Sequence, residues 1–86
     1  MKSFLAKVNI TLRKNILDVQ GKTIEHALHS LEYSDISHVR IGKYVELNIK
    51  ATDSGSALKR VTEACNKLIA NPIIEDFKIS IEETAE

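Results

Sequence analysis

The sequence contains no tryptophan and, among its 86 residues, only one cysteine, one proline and three glycines. A single cysteine excludes an intramolecular disulfide and permits a reducing compartment. Lysine plus arginine equals aspartate plus glutamate at 12 each. There is thus no basic surplus of the kind that binds nucleic acid nonspecifically or attaches to an anionic membrane. We therefore expect neither a nucleic-acid partner nor a membrane partner.

Long apolar runs are also missing. No stretch approaches the roughly 18 apolar residues of a membrane span, and polar residues interrupt the N-terminal segment too early for a signal peptide. The expected location is the cytoplasm. We expect one domain, residues 1–86, with a stability on the order of 5 kcal/mol, and small domains often gain stability by association.

Alternation of apolar and polar residues predicts the strands. The first covers residues 4–12 and the last 77–81. Between them, Val39 and Ile41 open a segment that continues after Gly42 through residues 45–49. We interpret these two runs as a hairpin in which Gly42 takes a positive φ. Residues 84–86 are expected to form a loose tail.

Helical periodicity predicts two amphipathic helices. The first follows Asp18 as N-cap. Its expected buried side is Gln20, Ile24, Ala27, Leu28 and Leu31. The second is capped by Asp53, Ser54 or Ser56 and ends before Asn71-Pro72, because proline cannot continue a helix. Its expected buried side is Ala57, Leu58, Val61, Cys65, Leu68 and Ile69.

The element order is then β-α-β-β-α-β. The fold class expected from this order is α+β, a ferredoxin-like two-layer sandwich with both helices on one face of a four-stranded antiparallel sheet. The opposite sheet face would be polar and would meet either water or a second copy of the chain; periodicity does not choose between these.

No set of residues predicts catalysis. His26 and His29 stand three apart and would need His38 as a further metal ligand; solvated surface histidines are the favoured interpretation. Cys65 lies within an apolar helix stripe, which favours an inert buried thiol. Gly21-Lys22-Thr23 lacks the second glycine of a phosphate loop, which favours a tight turn. The expectation is no catalytic, cofactor-binding or metal residue.

Some apolar residues lie outside the periodic faces, and they either close the ends of the core or contact another subunit. The sequence leaves both open. These residues are Ile16, Leu17, Ile36, Ile73 and Ile74.

Three segments together resemble the PurS family, the small subunit of phosphoribosylformylglycinamidine (FGAM) synthase. They are residues 17–21 (LDVQG) continuing into 26–31 (HALHSL), residues 39–47 (VRIGKYVEL), and residues 65–77 (CNKLIANPIIEDF). The family usually has glycine where Glu32 stands, so Glu32 predicts a helix exit that is not a glycine-type turn.

The resemblance implies a non-catalytic subunit of an ATP- and glutamine-dependent ligase of purine biosynthesis. Such a subunit would form a homodimer or a dimer of dimers. It would join a large synthetase subunit, which uses ATP and Mg²⁺, to a glutaminase subunit, and would help ammonia pass between them. No cofactor is expected in this chain itself.

The residues that match the family's motifs best are the expected subunit contacts: Arg40, Gly42, Lys43, Asn71, Pro72, Ile73, Ile74 and Glu75. Arg40 and Lys43 would pair with acidic groups on a partner. The alternative function is a regulatory module of the ACT type, which shares the predicted element order and binds a small effector between dimerised domains.

Overall fold

The computed structural model describes residues 1–84. The elements are β1 (Lys2–Leu12), α1 (Val19–Ser30), β2 (Gly42–Ala51), α2 (Ser54–Ala64), a π-helical turn (Cys65–Ile69) and β3 (Glu75–Thr84). Thr84 therefore ends a strand, and the rest of the expected tail, residues 85–86, lies outside the described residues.

The described residues form a three-stranded antiparallel sheet in the order β2-β1-β3, with β1 in the centre. The prediction of four strands was wrong, because no hairpin forms around Gly42. The backbone amides of Val39 and Ile41 donate instead to the carboxylates of Glu25 and Asp18. Because those amides bond to α1, they are not available to a strand ladder.

Gly42 begins β2 in an extended conformation, since no glycine in the described chain has a positive φ. The prediction of a left-handed turn here was wrong. A Cβ at this position would lie 2.6 Å from the Ile10 carbonyl oxygen. Glycine is needed because β1 and β2 approach closely, and Thr11 pairs directly with Gly42.

The core lies between the sheet and α2. Phe4, Ala6, Val8 and Ile10 alternate along β1, and all are buried beneath α2. From α2 and the following turn, Ala57, Val61 and Cys65 are buried, as predicted, whereas the prediction was wrong for Leu58, which is 43% exposed, and for Leu68, which is 87% exposed. Asp53 is the N-cap of α2, its carboxylate accepting the Ser56 amide. The outer strands contribute half-buried residues: Val45, Leu47, Ile49, Phe77, Ile79 and Ile81.

α1 does not share this core. Only α2 packs along all three strands, so the prediction that both helices cover one sheet face was wrong. On the expected buried side of α1, Ile24 is 41% exposed and Leu31 67% exposed. The radius of gyration is 16.7 Å, against about 12 Å for a compact chain of this length. The described chain is therefore elongated, with α1 beyond the sandwich.

The exit of α1 has the geometry of a Schellman motif. Glu32 has φ 71°, the Tyr33 amide donates to the Leu28 carbonyl at 2.9 Å, and the Glu32 amide donates to the His29 carbonyl at 3.1 Å. The expectation of a different kind of turn was wrong. Glu32 occupies the left-handed position that glycine normally takes, and this costs free energy because of its Cβ.

Glu32→Gly is therefore expected to raise the free energy of unfolding by about 1 kcal/mol, because glycine adopts the left-handed conformation without strain. Urea denaturation followed by circular dichroism would measure the change. Glu63→Gly is the matched control. It lies exposed inside α2, where glycine should lower stability by about 1 kcal/mol. Equal destabilisation by both substitutions would contradict the interpretation of Glu32.

Candidate functional site

The two segments predicted as subunit contacts come together at one end of the sheet. Because both strand pairs are antiparallel, the end of β1 lies beside the starts of β2 and β3. Thr11 pairs with Gly42, and Leu12 pairs with Glu75. We call this region, comprising Arg13, Arg40, Gly42, Lys43 and residues 71–75, the sheet-end surface.

Lys43 and Glu75 connect the two sides of this surface. The Lys43 ammonium lies 3.1 Å from a Glu75 carboxylate oxygen, and the Glu75 side chain is only 10% exposed. The other oxygen of Glu75 accepts the Asn71 amide at 2.7 Å. That amide bond, aided by Lys43, holds the pKa of Glu75 below its ordinary value. Lys43 therefore already has an acidic partner within its own chain.

Arg40 is occupied by main-chain carbonyls. Its guanidinium donates to the carbonyls of Leu12 and Arg13 at 2.9 Å each and to that of Ile16 at 3.3 Å. These three bonds fasten the segment before β2 to the end of β1. The expected pairing of Arg40 with an acidic partner stays a prediction, and within this chain its role is structural.

Arg13 is a member of this surface that the sequence analysis missed. Its amide donates to the Ile74 carbonyl at 2.8 Å, and its guanidinium donates to the Pro72 carbonyl. The same guanidinium lies 3.6 Å from the Asp76 carboxylate. The only sequence signal for this role is that Arg13 directly follows an alternating strand. That position does not reveal which loop the arginine side chain will contact.

The turn before β3 presents an apolar side chain to solvent. Asn71 organises the turn, since its side-chain oxygen accepts the Ile73 amide at 3.1 Å and its carbonyl accepts the Glu75 amide at 2.8 Å. Ile73 is 79% exposed. Pro72, which cannot donate a backbone hydrogen bond, lies between the π-helical turn and this exposed residue. Of the two interpretations left open for Ile73, closing the core is excluded within the described chain.

A second group of contacts holds α1 to residues 36–41, which we call the return segment. Asp18 is 5% exposed, and its two oxygens accept the Gly21 amide at 2.8 Å and the Ile41 amide at 2.7 Å. Asp18 is thus the predicted N-cap and also a bridge between segments. These two amides, with Gly21 the stronger contributor, hold the pKa of Asp18 below its ordinary value.

Glu25 and His29 continue this contact along α1. A Glu25 oxygen accepts the Val39 amide at 3.2 Å, which keeps the pKa of Glu25 low, and the His29 ring lies 2.7 Å from the Ile36 carbonyl oxygen. A Cβ on Gly21 would clash with the Val39 carbonyl oxygen. Gly21 therefore allows close approach of the return segment and belongs to no phosphate loop.

The residues considered for chemistry are not brought together. Cys65 is fully buried, and burial raises the pKa of its thiol, which disfavours the nucleophilic thiolate. His29 contacts a main-chain carbonyl and His38 contacts the Ser37 hydroxyl. Within residues 1–84 no three histidine, cysteine, aspartate or glutamate side chains are grouped to hold a metal ion.

Comparison with known proteins assigns the chain to a family. Residues 5–83 match the family model described as PurS: Phosphoribosylformylglycinamidine (FGAM) synthase. The FGAM synthase subunit PurS of Bacillus subtilis is 44% identical over 93% of this chain and 94% of its own length. The chain belongs to the PurS family. The PurS subunit of Synechocystis is a further relative, 37% identical over 92% of this chain and 79% of its own length.

Solved structures of this family share the fold. Bacillus subtilis PurS matches with a TM-score of 0.82 at 44% identity, covering 93% of this chain and 99% of that one. Methanocaldococcus jannaschii PurS gives a TM-score of 0.85 at 33% identity, covering 95% and 99%. A chain in the structure of PurLQS from Thermotoga maritima gives 0.84 at 28% identity, covering 98% and 100%.

The family membership also decides between the two functions considered from the sequence. The synthase subunit is favoured over the ACT-type module, whose element order requires the fourth strand that the described residues lack.

No helix within residues 1–84 is both long and apolar enough to cross a membrane.

Proposed function

We propose that this chain is the small, non-catalytic subunit of FGAM synthase. It would join the large synthetase subunit to the glutaminase subunit in the cytoplasm and assist the transfer of ammonia between them. The observation that carries the proposal is the match of residues 5–83 to PurS, because the named relatives are subunits of this enzyme. A chain in the structure of PurLQS from Thermotoga maritima has a similar fold.

The chemistry of the described residues supports an assembly role. The thiol is buried and protonated, and the inward carboxylates of Asp18 and Glu25 accept main-chain amides. A carboxylate held in this way has a low pKa and is a weak general base at neutral pH. We therefore assign the use of ATP, Mg²⁺ and the glutaminase nucleophile to the partner subunits.

We assign the contact with a partner subunit to the sheet-end surface. Ile73 offers an exposed apolar side chain at this surface, and Arg13, Arg40 and Lys43 are held by the contacts given above. Side chains that are already held in place lose little conformational entropy on binding, and arginine is enriched among the residues that dominate binding energy. Gly42 allows the close approach of β1 and β2 at this surface, and Asn71 organises its turn.

Exchanging the charges of the Lys43–Glu75 ion pair tests whether a partner subunit contacts Lys43. Lys43→Glu alone places two carboxylates together, whereas Lys43→Glu with Glu75→Lys restores the internal pair but reverses the charge offered to a partner. If a partner contacts Lys43, both variants will co-purify poorly with the large and glutaminase subunits. We expect this result, with an affinity loss of about tenfold or more for the double variant.

Two outcomes would contradict this assignment. Normal co-purification of both variants would remove Lys43 from the interface. Failure of the single variant with recovery in the double variant would show that the internal ion pair matters and the external charge does not. Lys59→Glu, an exposed lysine on α2, controls for a change of net charge.

We further propose that the chain is a homodimer in which a second copy covers the exposed side of α1; a dimer of such dimers is the larger form expected. Ile24, Leu31 and Val19 leave apolar surface on α1 in the single chain. Burying such surfaces stabilises an association by roughly 25 cal/mol per Å², and the described chain alone is elongated.

Ile24→Glu is expected to convert the dimer to monomer at micromolar concentration, because a carboxylate would be buried without a partner at the contact. Light scattering after size exclusion would measure the mass. His26→Glu is the control, since His26 lies about 200° around the same helix from Ile24. A dimer unaffected by Ile24→Glu, or lost equally with His26→Glu, would contradict this assignment.

A further inference from the structure

Residues 18–41, which we call the α1 arm, contribute no apolar side chain to the core. Within residues 1–84, every buried apolar side chain comes from outside this range, and α1 makes no extended contact with a strand or with α2. A helix of 12 residues is only marginally stable in water when nothing packs against it. The apolar packing that stabilises the sheet and α2 therefore does not stabilise the α1 arm.

The bonds that hold the arm together are polar, and both partners of each bond belong to the arm. Three side chains contact main-chain groups of the return segment, at 2.7, 3.2 and 2.7 Å. They are Asp18, Glu25 and His29. Asp18 is the buried member of the three, and a hydrogen bond is stronger in a buried site than in water. Because its other oxygen caps α1, Asp18 joins the start of the helix to the end of the arm.

The arm is connected to the rest of the protein at its base. The Arg40 guanidinium donates to three carbonyls of the segment that leaves β1. The strand pairing begins just beyond this point, with Thr11 opposite Gly42. Opening of the arm would break the bond between Asp18 and the Ile41 amide, yet it would leave the paired strands and their core intact.

We propose that the α1 arm is a conformational element that opens as one unit while the sheet and α2 stay folded, and that the bond between Asp18 and Ile41 controls how often it opens. Regions with few buried apolar contacts open in cooperative units at a lower free energy than the core. The arm carries Ile24 and Leu31, which are exposed in the single chain. Only the closed arm presents these side chains on an ordered helix.

This proposal does not depend on the homodimer proposed above. Contact of α1 with a second copy would make opening rarer, because it stabilises the closed arm. Such contact would not join the arm to the core of its own chain. The arm would therefore still open separately from the core.

Native-state hydrogen exchange of the full-length protein tests the proposal. Exchange is followed by NMR in increasing urea at one fixed protein concentration, so that any association affects every variant alike. The protection factors of α1 amides should be lower than those of β1 and α2 by about tenfold or more. They should also depend less on urea, because opening of the arm exposes less surface than global unfolding.

Asp18→Asn tests the role of the buried carboxylate. Asparagine is as good an N-cap as aspartate but has one acceptor oxygen, so it can keep only one of the Gly21 and Ile41 amides. Protection in α1 should fall by about tenfold, the effect of leaving one buried amide without its charged acceptor. Protection in β1 and α2 should not change.

Two further variants serve as controls. Asp53→Asn is the matched control, because Asp53 caps α2 through one oxygen, which asparagine can replace. Protection in both helices should then equal that of the unmodified protein. Val61→Ala is the reciprocal variant, because it removes methyl groups from the core. It should lower protection in β1 and α2 by about tenfold and leave α1 unchanged.

Three results would overturn the proposal. Protection of α1 equal to that of β1, with the same dependence on urea, would show that the arm and the core unfold together. An equal fall in α1 and the core with Val61→Ala would show the same. No loss in α1 with Asp18→Asn, or an equal loss with Asp53→Asn, would show that the bridge from Asp18 does not control opening.

Discussion

Asp18 is the buried carboxylate on which the position of α1 depends. α1 lacks an apolar contact with the sheet comparable to that of α2, so hydrogen bonds must hold it. Asp18 joins the first turn of α1 to the amide of Ile41, one residue before β2 begins. Arg40, adjacent to Ile41, fastens the same point to the end of β1. The helix is therefore joined to the sheet through polar contacts at one end.

This arrangement explains why the fold could be predicted only in part. Periods of two and 3.6 residues depend on burial, so β1 and β3 followed the sequence pattern. The second helix followed it at Ala57, Val61 and Cys65 but not at Leu58 and Leu68, because the chain changes to a π-helical turn at Cys65. Asp18 as N-cap also followed, because capping is local. The hairpin prediction failed because the alternation of Val39, Ile41 and Val45 does not reveal that Glu25 and Asp18 bind the intervening amides. These bonds join residues 14 and 23 positions apart, beyond any local pattern.

The candidate site was predictable to a similar extent. Resemblance to the family selected the segments around Lys43 and Glu75, and antiparallel pairing brings them together at one sheet end. The sequence did not indicate that Lys43 and Glu75 would pair with each other, nor that Arg13 would bind the Pro72 turn. The ion-pair partner of a charged residue can be predicted only when the positions of the loops around that residue are known. Ile73, in the same turn, is left exposed to solvent.

We propose that this chain acts through the surfaces it presents and leaves every bond-making step to its partner subunits. Formation of FGAM by the purified large and glutaminase subunits, measured with and without this chain, tests the claim most directly. With glutamine as nitrogen donor, omitting the chain should reduce turnover to background, and the chain alone should show none. Undiminished glutamine-dependent turnover in its absence, or turnover by the chain alone, would contradict the account.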